Sequence, residues 1–192
     1  MKRVNYLAVL LAMLLLLTAC GQTPAPVGGQ ENQMPTAEEQ GLPEKTDLEF
    51  VSGETVQTAP STLYAGKGYS IYVPDAGWRR EPEREDRIPV DVWEHVADDN
   101  AEVHVWRYGA VPLEEAVRDF LDEEDDYVFP QLLLGSEEIL DPVEGIDDDG
   151  DVLKFIMRTG KEGTFIVSWK YRNALSDAAS QAEQIAKTFV PD

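Results

Sequence analysis

Two segments near the end of the chain alternate between apolar and polar residues with the period of two that is typical of a β-strand. They cover residues 152–159 and 164–172, and the four residues between them begin and end with glycine, which favours a tight turn. The pattern therefore predicts a β-hairpin. In its second strand Ile166 is an apolar residue on the face that also carries Ser168, Lys170 and Arg172. The opposite face carries large apolar side chains: Phe165, Val167, Trp169 and Tyr171.

Three more strands are predicted earlier in the chain. Residues 69–73 alternate and are followed by Pro74, which favours the end of a strand. Residues 90–96 and 102–108 also alternate, and the Asp-Asp-Asn-Ala sequence at residues 98–101 between them is typical of a turn. We therefore expect one strand at residues 69–73 and a second hairpin at residues 90–108.

Two segments show the three- and four-residue spacing of an amphipathic helix. The first follows Pro112, a residue suited to the first helical turn, and its apolar positions are Leu113, Ala116, Val117, Phe120 and Leu121. The second ends by Pro191, and its apolar positions are Leu175, Ala178, Ala182, Ile185 and Phe189. The order strands, helix, strands, helix predicts an α+β fold, in which helices pack on an antiparallel β-sheet. We place it in one globular domain at residues 63–192.

The beginning of the chain has the pattern of an export signal. Lys2 and Arg3 precede an apolar run at residues 7–17, and small residues precede Cys20. A retained transmembrane helix needs about 20 apolar residues, which this segment lacks, and an ordinary cleaved signal would leave Cys20 as an odd free thiol. The sequence Leu-Thr-Ala-Cys at residues 17–20 resembles the lipobox of bacterial lipoproteins, which are substrates of type II signal peptidase. The resemblance implies cleavage after Ala19, lipidation of Cys20 with fatty acyl groups such as palmitate, and anchoring on the extracytoplasmic face of the cell membrane.

Residues 20–62 differ in composition from the domain that follows. Proline alternates with Gly, Gln, Thr and Glu, and large apolar side chains are few. Such a segment cannot bury enough apolar surface to offset the entropy lost on ordering. We therefore expect a signal peptide at residues 1–19, a lipidated cysteine with a disordered tether at residues 20–62, and the globular domain after it.

The predicted domain resembles the PsbP-like fold, an α/β/α sandwich found in photosystem accessory proteins and in small bacterial lipoproteins. The matching elements are Gly-Tyr-Ser-Ile-Tyr-Val-Pro at residues 68–74 before Gly77 and Trp78, the late hairpin, and the final helix ending at Phe189. The resemblance transfers no functional residue. It implies a role in binding or assembly rather than catalysis, with a protein, peptide or envelope component as the ligand.

Charge and residue types narrow the possible functions. The formal net charge of −21 repels nucleic acid, so we expect no nucleic-acid partner. Cys20 is the only cysteine, which leaves no thiol for catalysis or a disulfide after lipidation, and there is no Gly-x-Ser-x-Gly motif. Asp147–Asp151 lacks the spacing of an EF-hand loop, and its Asp-Gly sequence favours a turn. The sequence predicts a non-enzymatic protein without a cofactor.

A metal site is the alternative function. With a turn at residues 98–101, His95 would lie opposite His104 on neighbouring strands, with Asp91 close to them along the first strand. Two imidazoles and a carboxylate are ligands that zinc and copper accept. A turn one residue longer would place the two histidines on opposite faces and remove the site. Ordinary cross-strand packing of the same side chains is the other interpretation.

Overall fold

The computed structural model describes residues 40–81, 90–133, 142–172 and 174–192. Ten strands and three helices are defined in these ranges. In chain order they are β1 Lys45–Ser52, β2 Thr55–Gly66, β3 Tyr69–Pro74, β4 Trp78–Arg80, β5 Asp91–His95, β6 Asp98–Gly109, α1 Leu113–Glu123, α2 Pro130–Leu133, β7 Val143–Ile146, β8 Val152–Gly160, β9 Gly163–Tyr171, α3 Asp177–Lys187 and β10 Val190–Pro191. None of these helices combines the length and the apolar character needed to cross a bilayer.

The strands form two antiparallel sheets. The larger sheet has six strands in the order β4-β5-β6-β9-β8-β7, and the smaller has four in the order β1-β2-β3-β10. The predicted α+β class, with helices packed on antiparallel strands, is confirmed at this level. The late hairpin is also confirmed, because Gly160 pairs with Gly163 and leaves a two-residue turn between β8 and β9.

Both faces of the six-stranded sheet are buried. On one face Val105, Val167 and Trp169 pack with the apolar side of α3, in what we call the main core. On the other face Ile166 packs with Phe120 of α1 in a second cluster, the α1 core. Ile166, the one apolar residue on the otherwise polar face of β9, is therefore explained, because it packs against α1.

The helices begin and end close to the predicted positions. Pro112 precedes α1, as expected for a residue at the start of a helix. At the start of α3 the Ser176 Oγ accepts a hydrogen bond from the Ala179 N–H at 3.1 Å, which satisfies one of the free helical donors. Leu175 and Phe189 lie outside α3, and Leu175 is exposed while Phe189 packs in the main core.

The predicted boundary between tether and domain is wrong. β1 and most of β2 lie inside residues 20–62, and β2 pairs with both β1 and β3. Phe50 is buried, Leu48 packs against the main core, and the Val51 N–H donates to the Ser180 Oγ at 2.9 Å. β2 is stabilised by pairing with β3, and β1 is stabilised by packing beside α3, although few apolar residues are present locally. The predicted signal peptide, Cys20 and the tether up to residue 39 lie outside the described residues.

Candidate functional site

The register of the β5–β6 hairpin differs from the predicted one. Its turn is Val96 and Ala97, because β6 already begins at Asp98. His104 therefore lies opposite Val92, while His95 lies opposite Asp98 beyond a shift in register. The predicted cross-strand pair of His95 with His104 is therefore wrong. The Asp-Asp-Asn sequence at residues 98–100 has the composition of a turn, but it forms the beginning of β6.

The three residues proposed as metal ligands are separated by this register. Asp91 and His104 face opposite sides of the sheet, because their neighbours Val105 and Trp106 belong to the main core and the α1 core respectively. The His95 ring packs edge-on against Trp78, with ring centroids 5.3 Å apart. Within the described ranges no group of three or more His, Cys, Asp or Glu is arranged to hold a metal ion.

Asp91 is instead the centre of a buried hydrogen-bonded cluster, which we call the Asp91 cluster. It is 7% exposed and accepts hydrogen bonds from the Tyr69 hydroxyl, from Arg80 Nε at 2.6 Å and from the Tyr64 hydroxyl at 3.3 Å. The Arg80 guanidinium also lies 4.9 Å from the centroid of the Tyr64 ring. The cluster joins β2 and β3 of the smaller sheet to β4 and β5 of the larger one.

The electrostatics of the Asp91 cluster favour an ion pair between Asp91 and Arg80 beside a neutral Tyr69 hydroxyl. Burial, the hydrogen bond to Asp91 and the charge of Asp91 raise the pKa of Tyr69 far above its usual range. Burial lowers the pKa of Arg80, but the hydrogen bond and charge of Asp91 outweigh this effect and leave that pKa raised. Tyr64, Tyr69 and Arg80 were not predicted as partners of Asp91, because they are 11 to 27 residues away in the sequence. No local pattern marks them as polar contacts.

A second polar cluster, the His104 cluster, lies on the face of the sheet that α1 covers. His104 Nε2 donates to Glu102 Oε2 at 2.8 Å, and Glu102 pairs across the sheet with Lys170. Lys170 Nζ lies 2.9 Å from Glu124 Oε2, just after the end of α1. Its ammonium group also lies 5.6 Å from the centroid of the Tyr127 ring. This cluster therefore ties the end of α1 to the sheet.

The His104 cluster also contains a serine, as a hydrolytic site would. Ser168 lies opposite His104 on β9, but its Oγ accepts a hydrogen bond from Trp106 Nε1 at 2.8 Å. The Ser168 residue is fully buried, so a substrate from solvent has no path to its hydroxyl. His104 Nδ1 is buried and has no hydrogen-bond partner among the residues that the structure describes. The arrangement stabilises the packing of Trp106 rather than presenting a nucleophile.

Glu102→Gln is expected to change how stability depends on pH. The hydrogen bond from His104 lowers the pKa of Glu102, against a burial effect that raises it. A carboxyl whose pKa is lowered in the folded state stabilises the protein above its unfolded pKa of about 4.3, and this contribution is lost as the pH falls through the folded pKa. We expect the variant to lose about 1 kcal/mol at neutral pH and the difference from wild type to shrink on acidification.

Urea unfolding of both proteins at neutral pH and at about pH 3.5 measures this difference. Glu49→Gln, at an exposed position on β1, controls for the amide substitution. A difference between wild type and Glu102→Gln that stays constant over the whole pH range would contradict the assigned role of His104.

An open groove lies beside the outer edge of the six-stranded sheet, after the end of α1. It has a volume of about 340 Å³, and we call it the α1 groove. Val128 forms a bridge to Ile146 of β7 through two backbone hydrogen bonds of 3.0 and 3.1 Å, and both side chains are about half exposed. The residues lining the groove are Leu121, Asp125, Tyr127, Val128, Phe129 and Leu132.

The floor of the α1 groove is rigidly packed. Phe129 is 6% exposed and lies edge-on to Phe155, with ring centroids 5.6 Å apart. Its ring lies over Gly145, where a Cβ atom would come within 2.5 Å of Phe129 Cε1. The Gln131 side chain accepts a hydrogen bond from the Glu144 N–H at 3.2 Å, which holds α2 beside β7. Sequence reasoning missed this site, although the apolar run around Phe129 was its signal.

In the part of the chain that the structure describes, the fold is an antiparallel α+β domain that contains the Asp91 cluster, the His104 cluster and the largely apolar α1 groove. No protein-family model matches the sequence, and no curated protein matches it either.

Proposed function

We propose that the protein is an extracytoplasmic lipoprotein, anchored to the cell membrane through Cys20, whose domain binds or helps to assemble a protein, peptide or envelope component without catalysing a reaction. The anchor is supported by the positive residues Lys2 and Arg3, the apolar run after them and the Leu-Thr-Ala-Cys sequence. Two or more acyl chains hold a protein stably at a membrane, whereas one gives marginal binding.

The α1 groove is the observation that supports a binding role. It exposes apolar side chains such as Val128 to solvent, and apolar concavities on otherwise charged proteins are typical of binding surfaces. The strongest polar groups are engaged elsewhere, since Asp91 is held by Arg80 and two tyrosines, and Glu124 is held by Lys170. These groups are therefore better suited to stabilising the fold than to acting on a substrate.

We also propose that the domain is related to the PsbP-like α/β/α sandwich. The support is the position of α1 and α3 on opposite faces of one antiparallel sheet, together with the strand at Tyr69–Pro74 and the late hairpin. A relation of this kind favours binding or assembly by analogy of fold alone.

Cys20→Ala is expected to release the protein from the membrane. The chain contains no other cysteine, so the variant has no thiol on which a thioether-linked lipid could form. Cells that express the wild-type chain and are grown with an alkyne-tagged fatty acid should show a labelled band in the membrane fraction. The variant should lose the label and at least about tenfold of its membrane association, since the acyl chains supply most of the binding energy.

Thr23→Ala, three residues after the cysteine, is the matched control and should retain the label. Cross-linking of intact cells then tests the binding role, and we expect a discrete cross-linked product from the wild-type chain that is weakened in Cys20→Ala. Labelling that persists without Cys20 would refute the anchor. A wild-type chain that gives no discrete product would count against the binding module.

A further inference from the structure

We propose that the α1 groove binds a basic amphipathic segment of a partner polypeptide, in which Lys or Arg residues flank one or two large apolar side chains. The inference rests on the proposed binding function and names both the site and the class of partner. It is carried by two independent properties of the groove, its apolar lining and its acidic surroundings.

The apolar lining sets the shape of the occupant. Leu121, Tyr127 and Leu132 are half-buried and pack against the α1 core, so they form walls that are already in place. Phe129 closes the bottom, and Val128 remains 52% exposed at the rim. A volume of about 340 Å³ accommodates one or two large side chains but not a folded domain. The occupant is therefore a segment that inserts apolar anchors.

The surroundings of the groove are acidic. Residues 119–133 and 142–153 contain no Lys or Arg. Three nearby cations are paired with carboxylates: Lys170 with Glu124, Lys154 with Glu144, and Arg172 with Asp151 at 2.6 Å. Arg118, on α1 about one turn before Leu121, is an exposed cation outside the acidic segment. Of the exposed carboxylates on these two segments, Asp125 lines the groove itself. The others lie on the same two segments: Asp122, Glu123, Asp126, Asp148 and Asp149.

The pKa of Tyr127, whose ring lines the groove, also reflects nearby negative charge. Burial raises the pKa of Tyr127, and the negative charges of Asp147, Glu124 and Asp151 raise it further. A cationic segment is attracted by these negative charges, whereas an acidic peptide or an anionic lipid surface is repelled by them. Charge complementarity therefore selects a basic partner over an acidic one.

Short synthetic peptides can test the proposal with the purified full-length chain in a neutral detergent. A fluorescein-labelled peptide of Lys and Leu is the probe, and two counterparts replace its Lys by Glu or its Leu by Ser. We expect the Lys–Leu peptide to bind in an anisotropy titration, and we expect both counterparts to bind at least about tenfold more weakly. Binding should weaken as salt is raised, because exposed charges are screened over about 10 Å at 0.1 M.

Paired variants separate the groove from the general acidity of the chain. Val128→Ser should weaken binding about tenfold, while Val56→Ser, at a 68% exposed position on β2, should change it less than about twofold. Asp125→Lys should weaken binding about fivefold, while Glu54→Lys makes the same charge change in the β1–β2 turn and should have little effect. All four positions are exposed, so the variants are expected to fold.

Three results would overturn the inference: no binding of the Lys–Leu peptide up to about 1 mM, equal binding of the Glu–Leu peptide, or equal losses in the groove variants and their controls. The outcome is distinguishable from a failure of the proposed function, since the peptide titration does not involve the anchor. If the cellular cross-link persists while the titration fails, the protein binds its partner through another surface.

Discussion

Asp91→Ala is expected to lower the free energy of unfolding by about 3 kcal/mol, because it removes a buried carboxylate that pairs with Arg80 and accepts hydrogen bonds from two tyrosine hydroxyl groups. Tyr69 is fully buried, so its hydroxyl loses its acceptor without gaining water. The side chain of Arg80 is 37% exposed and can be partly solvated after the change. That exposure places the expected loss at the lower end of the range for a broken buried pair.

Urea unfolding of the purified chain measures this loss, and Asp99→Ala is the matched control. Asp99 is exposed on β6, where its carboxylate accepts a 3.1 Å hydrogen bond from the neighbouring Asn100 side chain. Its removal should change stability by less than about 0.5 kcal/mol. Adding Tyr69→Phe to Asp91→Ala should recover part of the loss, because the orphaned hydroxyl is then absent. A loss below about 1 kcal/mol for Asp91→Ala would mean that the cluster contributes little to stability.

Gly163→Ala is expected to cost about 4 kcal/mol or to prevent folding. Gly163 has a φ of +116°, a conformation that an L-residue with a side chain rarely adopts, and this strain costs about 1–3 kcal/mol. A Cβ atom at this position would also lie 1.9 Å from the carbonyl oxygen of Gly109. That neighbour is backbone at the end of β6, so β6 and β9 would have to separate where they pair. Thermal unfolding monitored by circular dichroism measures the loss.

Gly150→Ala provides the control that separates strain from overlap. Gly150 has a φ of +84°, but nothing lies within 4 Å of the position of its Cβ atom. It should lose only about 1–2 kcal/mol, the usual cost of a left-handed L-residue. Equal losses of stability in Gly163→Ala and Gly150→Ala would show that the positive φ alone accounts for the effect. The backbone near Gly109 would then move away from the added Cβ atom without a measurable loss of stability.

The sequence predicted the parts of the fold that local patterns encode. The β8–β9 hairpin follows from alternation and from glycines at both ends of its turn, and α1 follows from apolar spacing after Pro112. Ile166 is an exception in a one-sided pattern, and the position of α1 on the second face of the sheet explains it. A strand that is buried on both faces cannot be recognised from alternation with certainty.

The register of the β5–β6 hairpin could not be obtained in this way. The residues at 98–101 have turn chemistry, yet they belong to β6, and Val96 and Ala97 form the turn. A change of register moves every side chain relative to its partners. The metal hypothesis depended on that register, so His95 and His104 were placed on the correct strands but beside the wrong neighbours.

The region before residue 63 contains two strands that its amino-acid composition did not predict. Few apolar residues and several prolines predicted disorder, and Pro60 nevertheless lies within β2. Leu48 and Phe50 are enough to hold β1, because β2 pairs with β3 and β1 lies beside α3. These contacts join residues far apart in sequence, and no window of local composition contains them.

The sequence by itself determined the α+β class, five of the ten described strands and both long helices, because periodicity and turn residues act over a few neighbouring positions. It also carries the Leu-Thr-Ala-Cys motif from which the anchor at Cys20 is proposed. Only the tertiary structure decided that Asp91 is a buried carboxylate paired with Arg80, and that an apolar groove opens beside β7. Both features depend on residues brought together from separate strands and helices, whose distances arise when the sheets and helices pack.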